Sequence, residues 1–216
     1  MDIVIATKNR GKIRELAELL GPDIGGVGFR LITLDEAGFT GEIDENGESF
    51  EENSLIKAKA ASDFTGLPAI ADDSGLCVDA LGGAPGIRSA RFAGEGHNDA
   101  ANNALLLEKL QGVRDRGAEF VCAMSAVFPE GSLLAGPPIT VRGSVGGEIL
   151  VSPRGEGGFG YDPLFWYDPL GKTFAELSPD EKNEVSHRAD AVWRLRAALE
   201  ERIAAAKEAL WKKTMQ

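Results

Sequence analysis

The sequence predicts an α/β protein built around a mixed β-sheet. Two observations lead to this fold class: early strands alternate with helices, and two later strands follow each other across a short turn. Alternating elements favour parallel pairing, whereas strands joined by a tight turn pair in antiparallel fashion. With 216 residues, the chain is long enough for one domain, or two fused lobes, with a sizeable core.

The first β-α unit occupies the first twenty residues. Residues 2–7 are mostly apolar and predict a short buried strand, and residues 8–11 predict a polar turn. Apolar side chains then recur at helical spacing, at Ile13, Leu16, Ala17 and Leu20. The Gly21-Pro22 pair predicts the end of this helix.

The next segments predict a second strand, an acidic loop and a second helix. Residues 31–34 are suited to a strand, and residues 41–48 form the acidic loop. Ser49, with Glu52 three residues later, is typical of a capping box and predicts a helix to about residue 64. Residues 68–71 then predict a short strand that ends in an Asp72-Asp73-Ser74-Gly75 turn.

The second half of the chain predicts strands first and helices last. A helix is expected at residues 100–110, and strands at residues 119–128 and 139–151, joined by a turn at residues 129–131. Residues 81–86 and the glycine-rich residues 155–163 predict loops. Ser178 and Glu181 indicate a second capping box, with Pro179 at the first helical position. A long helix over residues 189–212 carries an apolar stripe: Val192, Leu195, Leu199, Ile203, Ala206 and Leu210.

The composition excludes several classes of protein. Acidic residues outnumber basic ones by 34 to 23, and the net charge of −11 disfavours binding to a nucleic-acid polymer. The sequence contains neither a membrane-spanning apolar run nor the features of a signal peptide, so we expect no membrane partner and a cytoplasmic location. Cys77 and Cys122 each lie in an apolar run and are expected to be core residues; without a CxxC motif, a zinc site is not expected.

The first candidate site is the turn Thr7-Lys8-Asn9-Arg10-Gly11-Lys12. A strand followed by a polar turn and a helix N-terminus favours anion binding, and three cations within five residues strengthen that interpretation. The segment is not a P-loop, because Ala6 and Ile13 stand where that motif needs glycine and Ser or Thr. The alternative is a solvated basic turn.

The second candidate is the Asp72-Asp73 pair. Adjacent carboxylates at the end of a strand are unfavourable unless a cation lies beside them. Mg²⁺ is held by such oxygen ligands, often one or two carboxylates together with substrate phosphates. The acidic loop from Glu42 to Glu48 contains further carboxylates that could serve as ligands. The alternative is an Asx-turn at the end of the strand.

The third candidate is the glycine-rich loop. Its Gly155, Gly157 and Gly160 match GxGxxG, but no helical pattern follows, which excludes a dinucleotide-binding turn. The loop presents Phe159 and Tyr161, and an exposed aromatic ring can stack on a purine. The alternative is that both rings lie in the core, which we favour for Tyr161.

The remaining candidates lie on helices. Lys182 and the pair His187-Arg188 carry donors for a base carbonyl or for phosphates, although they could equally be exposed residues at a helix start. Asn53 and Lys57, four residues apart, share a helix face, and Lys57 could reach phosphates or lie at the surface. His97, the other histidine, is expected in a loop without a role.

Taken together and in this order, the motifs resemble the inosine triphosphate pyrophosphatases, a family that acts on non-canonical purine nucleoside triphosphates. The resemblance covers nearly the whole chain. It is carried by the segments Ile5-Ala6-Thr7-Lys8-Asn9-Arg10-Gly11-Lys12, Ser49-Phe50-Glu51-Glu52-Asn53, Ala71-Asp72-Asp73-Ser74-Gly75-Leu76, Leu81-Gly82-Gly83-Ala84-Pro85-Gly86, Ser89-Ala90-Arg91-Phe92, Gly157-Gly158-Phe159-Gly160-Tyr161-Asp162-Pro163 and Ser186-His187-Arg188.

The resemblance implies a single domain over residues 1–216: an elongated two-lobed fold around a central mixed sheet, with the active-site cleft between the lobes, usually as a homodimer. It implies that Asp73 is the metal-linked general base, with Asp72 and Glu45 or Glu42 beside an Mg²⁺ ion. The implied triphosphate-binding residues are Thr7, Lys8, Asn9, Arg10, Gly11, Lys12 and Lys57. The implied nucleoside pocket consists of Ser74, Phe159, Gly160, Tyr161, Asp162, Lys182, His187 and Arg188.

The predicted activity is hydrolysis of ITP, dITP or XTP to the monophosphate and pyrophosphate. In this hypothesis Asp73 orients or deprotonates the attacking water, and donors from His187, Arg188 and the backbone recognise the keto oxygen at purine C6. Two alternatives stay open: a nucleotide-binding regulatory module without turnover, and a pyrophosphatase for modified pyrimidine triphosphates. Paired carboxylates facing phosphates argue against the first, because binding alone gains little from them.

Overall fold

The computed structural model describes residues 1–95 and 98–215, so His97 lies outside the described residues. The chain forms the strands β1 (Asp2–Ile5), β2 (Asp23–Ile24), β3 (Val27–Gly28), β4 (Arg30–Thr33), β5 (Ala69–Val78), β6 (Gly117–Val127), β7 (Ile139–Ile149), β8 (Phe165–Tyr167) and β9 (Lys172–Thr173). Its helices are α1 (Arg10–Leu20), α2 (Phe50–Thr65), α3 (Asp99–Lys109), α4 (Pro179–Val185) and α5 (His187–Thr214).

Seven strands form one sheet in the order β4-β1-β5-β6-β7-β8-β9. Strand β1 pairs in parallel with β4 and with β5. Strand β8 pairs in antiparallel fashion with β7 and with β9. The sheet is therefore mixed, which confirms the predicted α/β class.

The chain divides into two compact units. The first comprises Met1–Asp73, Ala123–Arg142 and Ala191–Gln216, and the second comprises Ser74–Cys122 and Gly143–Asp190. The four boundaries fall inside β5, β6, β7 and α5 rather than in loops.

Each unit has its own core. In the first unit, small and aliphatic residues pack together from α2, from β1, β4 and β5, and from the positions directly after β1 and β4: Val4, Ala6, Ile32, Leu34, Ala58, Ala61, Ala69 and Ala71. The second unit is built on aromatic rings, among which Phe120 and Phe165 lie 4.5 Å apart and Phe165 contacts Phe174 edge-on at 4.9 Å.

Helix α1 begins two residues earlier in the turn than the sequence pattern predicts. Asn9 is its N-cap, and the Asn9 side chain accepts hydrogen bonds from the backbone of the first turn. Of the predicted apolar face, Leu16 and Leu20 are buried, whereas Ala17 is exposed.

Helix α2 confirms the predicted start at Ser49. The Ser49 hydroxyl accepts a hydrogen bond from the Glu52 N–H at 3.1 Å. The Glu52 carboxylate returns to the N–H of Glu48 at 2.6 Å, one residue before the cap. This helix start therefore also holds the end of the acidic loop in place.

Strand β5 corrects the prediction for the paired aspartates. The strand continues from Ala69 to Val78, so Asp72 and Asp73 lie inside it rather than in a turn at its end. Both carboxylates have lysine partners, and these neutralise charges that would otherwise be unfavourable within a buried strand. An Asx-turn at this position is excluded.

Most other predicted elements are confirmed, with shifts of a few residues. The expected strands correspond to β4, β6 and β7, and the expected helix at residues 100–110 corresponds to α3. The sequence pattern misses the β2-β3 hairpin, β8 and β9, because two- and three-residue strands are too short to show periodicity. The predicted loop around residues 81–86 includes parts of two 3₁₀ turns, Asp79–Leu81 and Gly86–Arg91.

The last two helices follow the predicted patterns closely. Both bonds of the Ser178-Glu181 capping box are present at the start of α4. Helix α5 begins at His187, and its stripe is buried as far as Ile203, whereas Leu210 is 53% exposed. Within the described ranges, none of these helices is both long and apolar enough to span a membrane. Cys122 is buried as expected, and Cys77 is half-buried.

Candidate active site

A buried ion pair joins the turn after β1 to strand β5. Nζ of Lys12 lies 3.0 Å from Oδ2 of Asp72, whose side chain is fully buried. Helix α1 and strand β5 therefore bring the cationic turn and the paired aspartates together within the first unit. This arrangement is the one on which the predicted phosphate site depends.

Lys57 connects the second aspartate to the acidic loop. Its Nζ donates to Oδ1 of Asp73 at 3.2 Å and to Oε2 of Glu45 at 2.6 Å. The side chains of Lys57 and Asp73 are 8% and 11% exposed. Of the two acidic-loop residues named as alternative metal ligands, Glu45 is thus the one that a shared contact with Lys57 links to Asp73.

The electrostatic environment shifts the pKa values of both Asp73 and Lys57. Burial raises the pKa of Asp73, and the positive charges of Lys57 and Lys12 oppose that effect without cancelling it. Burial alone would lower the pKa of Lys57, but the charges of Asp73 and Glu45 outweigh it, so the pKa is raised. A buried carboxylate whose pKa lies above its usual range is suited to accept a proton.

Asn53 joins the acidic loop to Asp73 through one buried amide group. Its Nδ2 donates to Oδ2 of Asp73 at 3.3 Å, and its Oδ1 accepts from the Gly47 N–H at 2.8 Å. The sequence places Asn53 on the same helix face as Lys57 but indicates no role for it. Their four-residue spacing was the signal that could have identified it, because both side chains reach Asp73.

The backbone of the predicted phosphate turn is partly engaged in helix capping. Oδ1 of Asn9 accepts from the N–H groups of Gly11 and Lys12, at 2.9 and 3.1 Å. Thr7 accepts from the Asn9 N–H at 3.2 Å. These bonds cap the first turn of α1, which carries Lys12, and hold the turn before it.

The structure does not bring every cation of this turn to Lys12. Lys8 is exposed, and its Nζ donates to the Gly41 carbonyl at 2.9 Å. Arg10 lines a groove of about 480 Å³ with Arg14 and Asp35. At about 100° per residue, Arg10 points roughly 200° away from Lys12 around the helix axis. The two side chains therefore lie on opposite faces of α1.

The carboxylates offer the donor chemistry of a hard divalent cation. Among residues 1–95 and 98–215, no group of three or more His, Cys, Asp or Glu is placed to hold a metal ion alone. Mg²⁺ does not need such a cage, because it commonly binds one or two carboxylates, several waters and substrate phosphates. Asp73 and Glu45, which share one ammonium group, fit that requirement.

A second set of predicted residues lies in the second unit, around the glycine-rich loop. Oδ2 of buried Asp162 accepts from Nζ of Lys182 at 2.7 Å and from the Phe159 N–H at 2.9 Å. The same ammonium lies 4.7 Å from the centre of the half-buried Phe159 ring. Asp162 therefore fixes the positions of both Lys182 and Phe159.

The two residues at the start of α5 are buried rather than exposed. Nη2 of Arg188 donates to Oγ of Ser74 at 3.2 Å, and its guanidinium lies 5.7 Å from the Phe159 ring centre. The His187 ring stacks on Phe120 at 4.8 Å, with 14° between the planes. Ser74, Phe159 and Arg188 are thus brought together, and the exposed helix-cap interpretation is excluded.

Tyr161 lies in the core, as the favoured interpretation predicted. The side chain belongs to the aromatic core of the second unit, and its hydroxyl donates to the Ser89 carbonyl at 2.8 Å. Burial raises the pKa of this phenol. Among the predicted nucleoside residues, Tyr161 therefore supports the loop rather than offering its ring to a ligand.

A model of the Ham1 family matches residues 3–198 of the chain. The chain belongs to the Ham1 family. The dITP/XTP pyrophosphatase of Exiguobacterium sp. is 51% identical over 199 residues, which cover 92% of this chain and 97% of that protein. The dITP/XTP pyrophosphatase of Bacillus subtilis is 46% identical over 201 residues, covering 92% and 97%. The resemblance inferred from the motifs is confirmed.

Two solved Ham1 structures share the fold. The Staphylococcus aureus Ham1 protein superposes with a TM-score of 0.82 at 42% identity, covering 93% of this chain and 99% of that one. A Ham1 protein from Coxiella burnetii gives a TM-score of 0.81 at 40% identity, with coverage of 93% and 99%.

Proposed function

We propose that this chain hydrolyses non-canonical purine nucleoside triphosphates, such as XTP, ITP and dITP, to the monophosphate and pyrophosphate. One observation carries the proposal: the buried Asp73 carboxylate, with Lys57 and Asn53 on it, lies beside the Lys12–Asp72 pair. The relatives that share most of the chain are dITP/XTP pyrophosphatases, which supports the same substrate class.

The triphosphate binds where positive charge collects in the first unit. Lys12 and Lys57 supply two ammonium groups, and the N-terminus of α1 adds its partial positive charge. Thr7, Asn9 and Gly11 shape the turn that carries Lys12. Exposed Lys8 and Arg10 contribute at most to the longer-range attraction of an anion, because neither faces Asp72.

Mg²⁺ is the proposed cofactor, and Asp73 and Glu45 would hold it, with Asp72 close by. Bound there, the ion would neutralise charge on the phosphate chain and on the leaving pyrophosphate. The chain's own part is to keep these carboxylates ionised and oriented, which Lys12, Lys57 and Asn53 do through the contacts described above.

Asp73 accepts a proton from the attacking water. The water oxygen forms a bond to the α-phosphorus while the bond from that phosphorus to the α-β bridging oxygen breaks. Pyrophosphate leaves with the electron pair of that bond, and the proton of the water passes to Asp73. Lys12 and Lys57 stabilise the negative charge that develops on the phosphate oxygens.

The nucleoside binds to the residues around Phe159 in the second unit. Phe159 provides a face for stacking, and the donors of Arg188, His187 and Lys182 suit a keto oxygen at purine C6. Adenine carries an amino group at C6, which donates instead of accepting. Asp73, assigned to the phosphate chain, and Ser74, assigned to the nucleoside, are consecutive residues of the chain.

A substrate panel tests the proposal. Pyrophosphate release is measured with Mg²⁺ for XTP, ITP, dITP, GTP, ATP and a modified pyrimidine triphosphate, using wild type and Asp73→Asn. We expect XTP, ITP and dITP to be hydrolysed well above ATP, and the variant to lose turnover. Equal rates on ATP and ITP would contradict recognition of the keto oxygen at C6. A preference for the pyrimidine triphosphate would make modified pyrimidine nucleotides the substrate class. Tight binding without turnover would indicate a regulatory module.

The homodimer and the cytoplasmic location stay predictions.

A further inference from the structure

We propose that helix α3 positions the base-stacking ring of Phe159 through two side chains, Asp99 and Asn103, that together hold the backbone of Gly160. The inference rests on the proposed function, since it concerns how the nucleoside pocket is kept in shape. Neither residue stood out in the sequence, and both would act through Phe159 rather than by touching substrate.

Helix α3 binds both the N–H and the carbonyl of Gly160. Oδ2 of Asp99 accepts from the Gly160 N–H at 2.7 Å, and Nδ2 of Asn103 donates to the Gly160 carbonyl at 2.9 Å. Asp99 and Asn103 are four residues apart, so they project from the same face of α3. Gly160 has φ of 62°, a left-handed conformation that both bonds help to hold.

Helix α3 is itself firmly anchored. Asn102 accepts from the Ala93 N–H at 2.8 Å and donates to the Ala90 carbonyl at 3.2 Å, while Leu106 is fully buried in the aromatic core. The hydrogen bonds of Asp99 and Asn103 with Gly160, called the clamp below, therefore connect Gly160 to a rigid element. A hydrogen-bonded loop residue on a rigid scaffold is what a precise binding site requires.

The clamp completes a set of three anchors around Phe159. Asp162 accepts from the Phe159 N–H, and the Tyr161 hydroxyl donates to the Ser89 carbonyl. Gly160 is the remaining residue between Phe159 and Tyr161, and α3 holds it from both its N–H and its carbonyl. Loss of the clamp frees Gly160, the residue between Phe159 and Tyr161, which the other two anchors do not hold.

The variants separate the two bonds by chemistry. Asp99→Ala removes the acceptor, whereas Asp99→Asn keeps an oxygen that can accept from the Gly160 N–H. Asn103→Ala removes the donor to the Gly160 carbonyl. Glu108→Ala removes an acidic side chain, likewise exposed, from the other end of α3 and is the matched control.

The first readout needs no substrate. Hydrogen exchange of the Gly160 amide is followed by NMR in the unliganded protein. We expect about tenfold faster exchange in Asp99→Ala, the size of effect that goes with losing one hydrogen bond to a charged acceptor. Glu108→Ala should exchange within about twofold of wild type, and Asp99→Asn, whose neutral oxygen accepts a weaker bond, should lie between wild type and Asp99→Ala. Unchanged exchange in Asp99→Ala would overturn the clamp whatever the protein's activity.

The second readout is kinetic. Asp99→Ala and Asn103→Ala should each raise KM for XTP about tenfold with kcat within about twofold, because they loosen binding of the base and leave Asp73 untouched. Asp99→Asn should restore KM. A fall in Tm with KM unchanged would show a purely structural role and overturn the proposal. If wild type fails to hydrolyse XTP, the proposed function fails, and the exchange rates still decide whether α3 holds Gly160.

Discussion

Nζ of Lys57 lies 3.2 Å from Oδ1 of Asp73, and the same ammonium group contacts Glu45 in the acidic loop. Lys57 on α2 thus holds Asp73 of β5 close to Glu45 of the acidic loop. The proposed mechanism requires both carboxylates beside the triphosphate. Because burial raises the pKa of Asp73 in spite of this contact, the carboxylate is held in a state that is unfavourable for folding but suited to accepting a proton.

Asp73→Asn should abolish turnover without unfolding the protein. We expect kcat to fall about a hundredfold to ten-thousandfold, the usual contribution of a general base, with the circular dichroism spectrum unchanged. Near-normal turnover at saturating Mg²⁺ would remove Asp73 from the mechanism.

The same variant predicts a pH dependence of stability. A carboxyl group whose pKa is higher in the folded state than in the unfolded state binds protons more tightly when folded. Stability from that group is present at low pH and is lost as the pH rises from the unfolded pKa through the folded pKa. Asp73→Asn should therefore gain stability relative to wild type as the pH rises above about 4, the ordinary pKa of an aspartate in the unfolded chain, measured by urea unfolding. A difference that is constant across this range would contradict the raised pKa.

Lys57→Met should cost both stability and activity. It leaves the buried Asp73 carboxylate without its nearest positive charge, and breaking a buried ion pair in this way typically costs about 3–5 kcal/mol. Lys59→Met, an exposed position on the same helix, is the control and should change the unfolding free energy by less than about 0.5 kcal/mol. Equal unfolding midpoints for the two variants would show that the buried contact contributes nothing.

Asn53→Ala should loosen the acidic loop. It removes both the bond to Asp73 and the bond from the Gly47 N–H, which leaves buried polar groups unsatisfied and costs about 1–3 kcal/mol. Gly47→Ala should act similarly, since a Cβ there would lie 2.7 Å from Oδ1 of Asn53. Both should weaken activation by Mg²⁺, measured as the metal concentration for half-maximal rate. Asn46→Ala, exposed in the same loop, is the comparison, and an equal effect there would refute a specific role for Asn53.

Gly158→Ala should damage the nucleoside pocket more than an ordinary glycine substitution. A Cβ at Gly158 would overlap the Asp162 carboxylate that holds Lys182 and the Phe159 N–H. Gly112→Ala is matched to it, because Gly112 has φ of 76° against 70° for Gly158 but has no atom within 4 Å of the added Cβ. We expect KM for XTP to rise more than about tenfold only in Gly158→Ala. Similar KM values in both variants would show that backbone strain, rather than Asp162, accounts for the loss.

Elements whose signals are local could be predicted from the sequence. The α2 cap at Ser49 and the Ser178-Glu181 capping box both depend on residues within one helical turn, and both are present. The apolar stripe of α5 is buried as far as Ile203 because helical spacing alone sets which side chains share a face. The resemblance to the family could likewise be found from the identity and order of the residues in its motifs.

Which charged groups meet depends on the tertiary structure and could not be predicted from the sequence. Nothing local to Asp72 and Asp73 shows that they continue a strand, because the lysines that stabilise them there come from α1 and α2. The same holds for Arg188, whose partner Ser74 is 114 residues away. The physical reason is that burial and Coulomb interactions act through space, whereas periodicity and capping act along the chain.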